Sequence, residues 1–437
     1  MCVLHQTLST PQENLLTRVP GWNGGRLIAV CITCIWPSFA RIPNTFGPNM
    51  PTTTYEFTGF VVFWFLSTPF LFLRPEKFKL PFQIVCIWCG LGMLSWMIWG
   101  LAVAGGVGPL WSTGQQLPEG SKFSASWLIM AGINQTVGGL AAGITNGSDF
   151  SRYAKRPRSY VIGTVTSCVI TGTLVCLIGL VTAASCQKIY GEVYWNPPDL
   201  LMVMMDSGNG SSKARTGVFF LSAGFAFTAM FENICGNTIA GGIDLAGLFP
   251  RYIDIRRGAI ITFVAAWIVQ PWQLINRATT FIAVLSSFSV FLAPILGIMA
   301  CDYYLLRKRK IRLSHLYRTD ESIYFFWHGV NWRAIPAWMC GVAPTLGGLV
   351  VTVRMGPDPP RALIQLYYMA FLIGEFYDIK GWRGVMLIVC QAFSSVQSCS
   401  THLTLHFRRR MLWTNMTSLI SMEPLRPRKQ EERALCR

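Results

Sequence analysis

Charge is scarce in this sequence. Of 437 residues only 13% are Asp, Glu, Lys or Arg, whereas soluble domains carry roughly 25%. So low a share excludes an ordinary water-soluble domain. Histidine is scarcer still: the five that occur all lie outside the long apolar runs, which argues against a haem or di-iron membrane enzyme. No metal or nucleophile constellation stands out elsewhere, so the sequence does not read as an enzyme. The opening stretch "MCVLHQTLSTPQENLLTRVP" lacks a basic segment followed by an apolar core and does not read as a secretory signal. Strict apolar–polar alternation is missing too, which excludes the strand pattern of an outer-membrane barrel.

What is present is apolar. Hydrophobic residues make up 52% of the chain and aromatics 13%. They gather in the runs Phe57–Leu73, Pro81–Ala104, Ala125–Thr145, Tyr160–Ala184, Thr216–Ile239, Ala259–Ile275, Phe281–Cys301 and Ala334–Val353. Most approach the roughly 17–25 residues that carry a helix across a hydrocarbon core. The expected class is an all-α polytopic membrane protein. A further piece, Leu27–Trp36, is too short to span alone.

The net charge of +17 does not point to nucleic acid, because the basic residues sit in alternate loops. One set holds Arg74, Lys77 and Lys79, then Arg152, Lys155, Arg156 and Arg158, then Arg251, Arg256 and Arg257, then the cluster from Arg307 to Arg318. The intervening loops are poorer in basic residues, with only Arg41, Lys122 or Arg277 in the shorter ones. Lys and Arg accumulate in cytoplasmic loops, so the first set faces inside. The outside loop Ser185–Arg215 then carries a glycosylation acceptor, "NGS" at Asn209. The 14 cysteines fall mostly within apolar runs. "CITC" (Cys31–Cys34) and "CIWC" (Cys86–Cys89) lack a second pair or a histidine to complete a metal site, and read as small buried apolar residues.

Polar residues inside a span are costly, so each needs a reason. Glu232 is read as the one carboxylate well inside a span. It is either a proton or ion contact, or a group solvated beside a water-filled cavity or helix break. Asn233 and Asn237 are four apart and share a helix face. Their amides suit a heterocycle that presents C=O and N–H side by side; interhelical hydrogen bonding is the alternative. A second break, "GINQTVGGLAAGITNGSDFSRYAKRPRS" (Gly132–Ser159), combines Gly138, Gly139 and Gly143 with Asn134 and Asn146. Two Gly- and Asn-interrupted spans are the pattern of a transporter whose broken helices bind near the midplane. Asp149 with Arg152, and Asp302 with Arg307, lie at span ends and read as interfacial clamps.

Five ordered motifs then resemble a known family: "IWPSFARIPNTF" (Ile35–Phe46), "ITNGSDFSRYAKRP" (Ile144–Pro157), "GNTIAGGIDLAGLFPRYIDIRRG" (Gly236–Gly258), "QPWQLI" (Gln270–Ile275) and "SVFLAPILGIMACDYYLLRKRK" (Ser289–Lys310). They are similar to nucleobase:cation symporter family 1, the purine-cytosine permease family, and most of all to its fungal uracil, allantoin and uridine permease branch. The resemblance implies a LeuT-type fold, with two inverted five-helix repeats followed by two extra helices. On that map Phe57–Leu73 is the fourth helix, Ala125–Thr145 the sixth and Thr216–Ala240 the eighth. The family's substrate asparagine falls on Asn237, with Asn233 on the same face. The wall lining the substrate falls at Leu140 beside Gly139, and the gate at Phe288. Phe231 and Glu232 stand where sodium-coupled members carry a Ser/Thr pair, so the resemblance implies a proton rather than sodium as coupling ion, with Glu232 as the candidate proton-linked residue.

The family's third helix carries a Trp and a Gln that hold the base; here the Gln position holds Pro20. The resemblance thus implies a 1–21 segment outside the family pattern, a helical domain over 22–374 and a basic tail over 375–437. The first two helices and most of the third are expected to be missing. The implied activity is transport of a nucleobase or related compound (uracil, allantoin or uridine class) across a membrane, expected to be the plasma membrane, with no cofactor. The implied partners are that small molecule and the lipid bilayer, not nucleic acid. The alternative is a truncated permease that does not transport, or a membrane interaction partner.

Overall fold

The computed structural model describes residues 21–374, apart from 48–49, 74, 110, 112–122, 152–153, 195, 269, 271, 273–277, 317–321, 325, 327–330 and 355–359. The expected 1–21 segment, all but Gly21, and the 375–437 tail lie outside the described residues, as does Arg152 of the Asp149 pair.

Helices α1 (21–35), α2 (Thr54–Ser67), α3 (Lys79–Ala104), α4 (Ala125–Thr145), α5 (Pro157–Thr166), α6 (Gly172–Tyr190) and α7 (Pro197–Ser207) come first. They are followed by α8 (Ser212–Glu232), α9 (Ile239–Leu248), α10 (Ile255–Ile268), α11 (Ala278–Ala300), α12 (Ala334–Arg354) and α13 (Arg361–Tyr368). Among the described residues no strand occurs. Three π-helical turns interrupt the long rods: Ser167–Thr171 joins α5 to α6, Asn233–Thr238 joins α8 to α9, and Cys301–Leu306 follows α11. Six of the resulting helical stretches are long and apolar enough to cross a membrane: Thr54–Phe72, Lys79–Ala104, Pro157–Tyr190, Ser212–Leu248, Ser287–Leu306 and Ala334–Val353.

Local chemistry sets the ends. Thr53 caps α2, accepting from the Glu56 backbone N–H at 3.3 Å, while the Glu56 carboxylate accepts from the Thr53 N–H at 3.2 Å. The α3 helix stops where Gly105 turns left-handed at φ 63°. The C-terminus of α1 is held from outside the helix. Arg215 donates to the carbonyls of Cys34 at 2.8 Å and Ile35 at 2.9 Å, a cation placed where the helix dipole favours it.

Packing falls into separate groups. The larger joins α1, α2, α3 and α7 to α10 around Trp22, Phe60, Phe63, Leu201, Met230 and Ile234. Its tightest crossing is between α1 and α2: a Cβ at Gly59 would stand 2.5 Å from the Gly25 carbonyl oxygen. The other groups join α4, α11, α12 and the last helix through Ala141, Phe288, Leu292, Val290 and Val342. Asn134 braces that group. Its amide donates to the Tyr367 carbonyl at 3.3 Å and accepts from the Phe371 N–H at 2.9 Å, across the turn at Met369 that breaks the last helix. Ile84, Ile87 and Leu91 of α3 and Val161, Val165 and Val169 of the α5–α6 rod are exposed, as a lipid-facing surface requires.

Candidate functional site

The sequence "NICGNT" forms the π-turn Asn233–Thr238. Such a turn adds a residue to the helical circuit and recurs at functional sites. Both asparagines point into the protein, with Asn233 1% exposed and Asn237 9%. The Asn237 Nδ2 donates to Asn233 Oδ1 at 3.5 Å, and Thr238 Oγ1 donates to the Asn233 carbonyl at 2.9 Å. That arrangement turns the Asn233 Nδ2 outward from the pair, and it has no partner. The pair therefore offers a free amide N–H from Asn233 and the carbonyl oxygen of Asn237, a donor and an acceptor on one buried face.

The start of α1 closes on this face. A Cβ at Gly21 would lie 3.7 Å from Asn233 Nδ2 and 3.9 Å from the Phe60 ring. Trp22, fully buried, packs its ring 5.6 Å from Phe60 and 5.9 Å from Trp272, the residue that folds back beyond α10. Phe57 and Trp267 complete an aromatic cluster around Phe60.

One turn further along α1, Arg26 is part-buried between two carboxylates. Its Nε lies 2.8 Å from Glu56 Oε1 on α2, and its guanidinium pairs with Asp199 of α7. Three elements are tied at one side chain, in the forked geometry that arginine allows.

The other sequence-predicted residues stand apart. Glu232 is exposed, whereas its neighbour Asn233 is buried, and it lies within electrostatic reach of Cys89 on α3. Among the described residues it has no hydrogen bond or ion pair. Gly139 is half-buried and Leu140 is 51% exposed. The inward face of α4 is instead Asn134, Gly138, Ala141 and Thr145, and the core cluster around the asparagine pair contains no residue of α4. Phe288 is buried against Ala141 of α4, in a cluster separate from that of the asparagines. Asp302 pairs with Arg307 at 2.6 Å, and the Arg307 guanidinium sits 4.3 Å from the Tyr324 ring centroid, a clamp at the end of α11. Cys31 donates to Ser222 at 3.1 Å and so fastens α1 to α8.

Sequence reasoning passed over four residues. Glu232 is not the only carboxylate within the helical rod: Asp244, 3% exposed on α9, is buried and engaged. The apolar run had been ended at Ile239, which hid it. Arg26 carried a visible signal as the lone charge in "GGRLIAVCITC". Trp22 and Trp272 carried none, since about 250 residues of chain separate them and only folding joins them.

The family model of permeases for cytosine/purines, uracil, thiamine and allantoin matches residues 17–374. Nicotinamide riboside transporter 1 of Saccharomyces cerevisiae is 33% identical over 359 residues, which cover 81% of this chain and 59% of that protein. The allantoin permease of the same yeast is 32% identical over 388 residues, covering 86% of this chain and 59% of its own. Its uracil permease is 32% identical over 339 residues, covering 76% and 53%. The chain thus spans less than two thirds of the length of these relatives. Among solved structures, Mhp1, a nucleobase-cation-symport-1 family transporter in a closed conformation with bromovinylhydantoin bound, superposes with a TM-score of 0.57 at 20% identity. The match covers 87% of this chain and 75% of Mhp1, and at that identity it speaks to the fold alone, the LeuT-type transporter fold.

Proposed function

We propose, from the premise that the chain belongs to the family of permeases for cytosine/purines, uracil, thiamine and allantoin, that it carries a nucleobase or related ring compound across a membrane. The observation that supports this most is the buried Asn233–Asn237 pair in a π-turn, with a donor left free and a small residue, Gly21, opposite it. A polar face kept in an apolar rod is retained at a cost unless a ligand or water completes it. Asn237 is the substrate contact in this reading and Asn233 shapes the same face. Gly139 and Leu140 on α4 line the facing side as the α4 group moves against the rest, and Phe288, packed on Ala141 of that group, is the gate.

The relatives include carriers of several compounds, so the reading is tested by uptake of radiolabelled uracil, uridine and allantoin in a permease-deficient host. Asn237→Ala is expected to lower uptake of the carried compound about five- to a hundredfold, since removing one side of a buried paired contact costs roughly 1–3 kcal/mol. Normal uptake in that variant would remove Asn237 from the site.

The coupling ion in this reading is the proton, and no cofactor takes part. Glu232 supports it as a carboxylate without a cationic partner, adjacent in sequence to the site. An unpaired acid at this depth is free to take up and release a proton. Glu232→Gln is expected to flatten the dependence of uptake on external pH while leaving substrate binding in place. Unchanged pH dependence would separate Glu232 from coupling.

A further inference from the structure

We propose that the indole N–H groups of Trp22 and Trp272, with the free amide N–H of Asn233, form a donor-only subsite beside Asn237. It reads the exocyclic carbonyl oxygens of a neutral ring and disfavours cationic heteroaromatic compounds. This rests on the proposed function above and names the substrate chemistry of that site.

Three observations carry it. The donors are buried, with Trp22 at 0%, Asn233 at 1% and Trp272 at 6% exposure, and none has an acceptor. A buried donor left unsatisfied costs roughly 1–3 kcal/mol, and folded proteins keep such groups few. Three such donors sit on residues grouped about Phe60 and the position beside Gly21.

The residues that carry them come from α1, from Trp272 after α10 and from the π-turn, yet they gather about one ring. The Phe60 ring is the common neighbour, 5.6 Å from Trp22 and 6.0 Å from Trp272. The same ring and Asn233 Nδ2 both approach the side-chain position that Gly21 leaves empty.

Finally, the charges nearby offer nothing to a cation. Among the described residues Glu56 and Asp199 are taken by Arg26, Glu232 is exposed where Asn233 is buried, and Asp244 is already engaged. A cationic ring would meet N–H dipoles by their positive ends. Carbonyl oxygens would accept from them, while Asn237 Oδ1 remains for a ring N–H.

The distinction matters because the relatives include carriers named for both kinds of compound: thiamine and nicotinamide riboside on one side, uracil and allantoin on the other.

The test is equilibrium binding to the purified full chain in lipid nanodiscs, with uracil, 2,4-dithiouracil and thiamine as probes. The parent chain is expected to bind uracil, to bind 2,4-dithiouracil about tenfold more weakly because sulfur is the poorer acceptor, and to bind thiamine weakest. Trp22→Phe and Trp272→Phe keep the rings and remove one donor each; each is expected to weaken uracil binding about three- to tenfold. The dithiouracil comparison needs no variant, so the proposal stays exposed even if a Trp variant fails to fold. Equal affinity for uracil and its dithio analogue, or tighter binding of thiamine, overturns the subsite. So does parental uracil affinity in both Phe variants while Asn237→Ala loses binding, which leaves the proposed function standing. No binding of any probe by the parent chain overturns the subsite, while no uptake of uracil, uridine or allantoin overturns the proposed function with it.

Discussion

Arg26→Ala is expected to lower stability by on the order of 3 kcal/mol. The reason is what remains behind. Glu56 is only 15% exposed at its side chain, so without Arg26 it is a buried carboxylate with no counter-charge. Asp199, 42% exposed, finds water more easily and contributes less. The damage should be local first: α7 is tied to α1 through this pair, and the Pro197–Ser207 segment is expected to lose hydrogen-exchange protection before the rest. A compensating variant separates charge from contact. Arg26→Met together with Glu56→Gln removes both buried charges and keeps a side chain at the third helical position that can still cap Thr53. It is expected to unfold at a higher temperature than Arg26→Ala in the same detergent. If the double variant is no better than the single, the buried carboxylate is not the cause.

Gly242→Leu is expected to be comparably severe by a different route. A Cβ at Gly242 would stand 2.6 Å from the Ala259 backbone nitrogen and 2.7 Å from the Ile255 carbonyl oxygen. The obstacles are backbone atoms, which cannot rotate out of the way as a side chain can. The reciprocal position is as tight, a Cβ at Gly258 meeting the Gly242 oxygen at 2.6 Å. The whole of α9 must therefore lift from α10, and overpacking of this kind costs roughly 1–3 kcal/mol or more. Because α9 continues directly from the π-turn, the shift also reaches Asn237. Ligand binding should fall together with the thermal midpoint. Gly217→Ala, on α8 with nothing within 4 Å of the added carbon, is the control and is expected to be neutral or slightly stabilising. A monodisperse Gly242→Leu variant with parental binding would show that the helix pair can separate freely.

Both predictions concern contacts that the sequence did not announce, whereas much else was legible. Six of the eight apolar runs coincide with the six stretches able to span among the described residues, because burying backbone polar groups in lipid leaves a continuous helix as the available solution. The run Ala334–Val353 has the limits of α12 to within a residue, and Ala125–Thr145 those of α4, a helix that is not among the six stretches. Boundaries drifted where polar residues belong to the rod. The Thr216–Ile239 run became a stretch from Ser212 to Leu248, since the π-turn and Asp244 are accommodated by neighbours that hydropathy does not see. The clamp between Asp302 and Arg307 was readable from their place at the end of a span, while the π-turn Cys301–Leu306 is what brings the two together.

The candidate site divides along the same line. Asn233 and Asn237 were readable because their relation is local: four residues on a helix share a face in any fold. What faces them was not. Gly21, Trp22, Phe60 and Trp272 meet because Gly25 and Gly59 let α1 and α2 touch backbones, and because Trp272 packs against Trp22 and Phe60. For α4, family pattern pointed to Gly139 and Leu140, while the packing turned Asn134, Gly138 and Ala141 inward. By itself the sequence determined the class of molecule, its spanning helices and the asparagine pair, since hydropathy and helical periodicity act over a few neighbouring residues. The tertiary structure alone decided which donors surround that pair and which charges are spent on one another, because those partners are chosen by close approach between helices far apart in the chain.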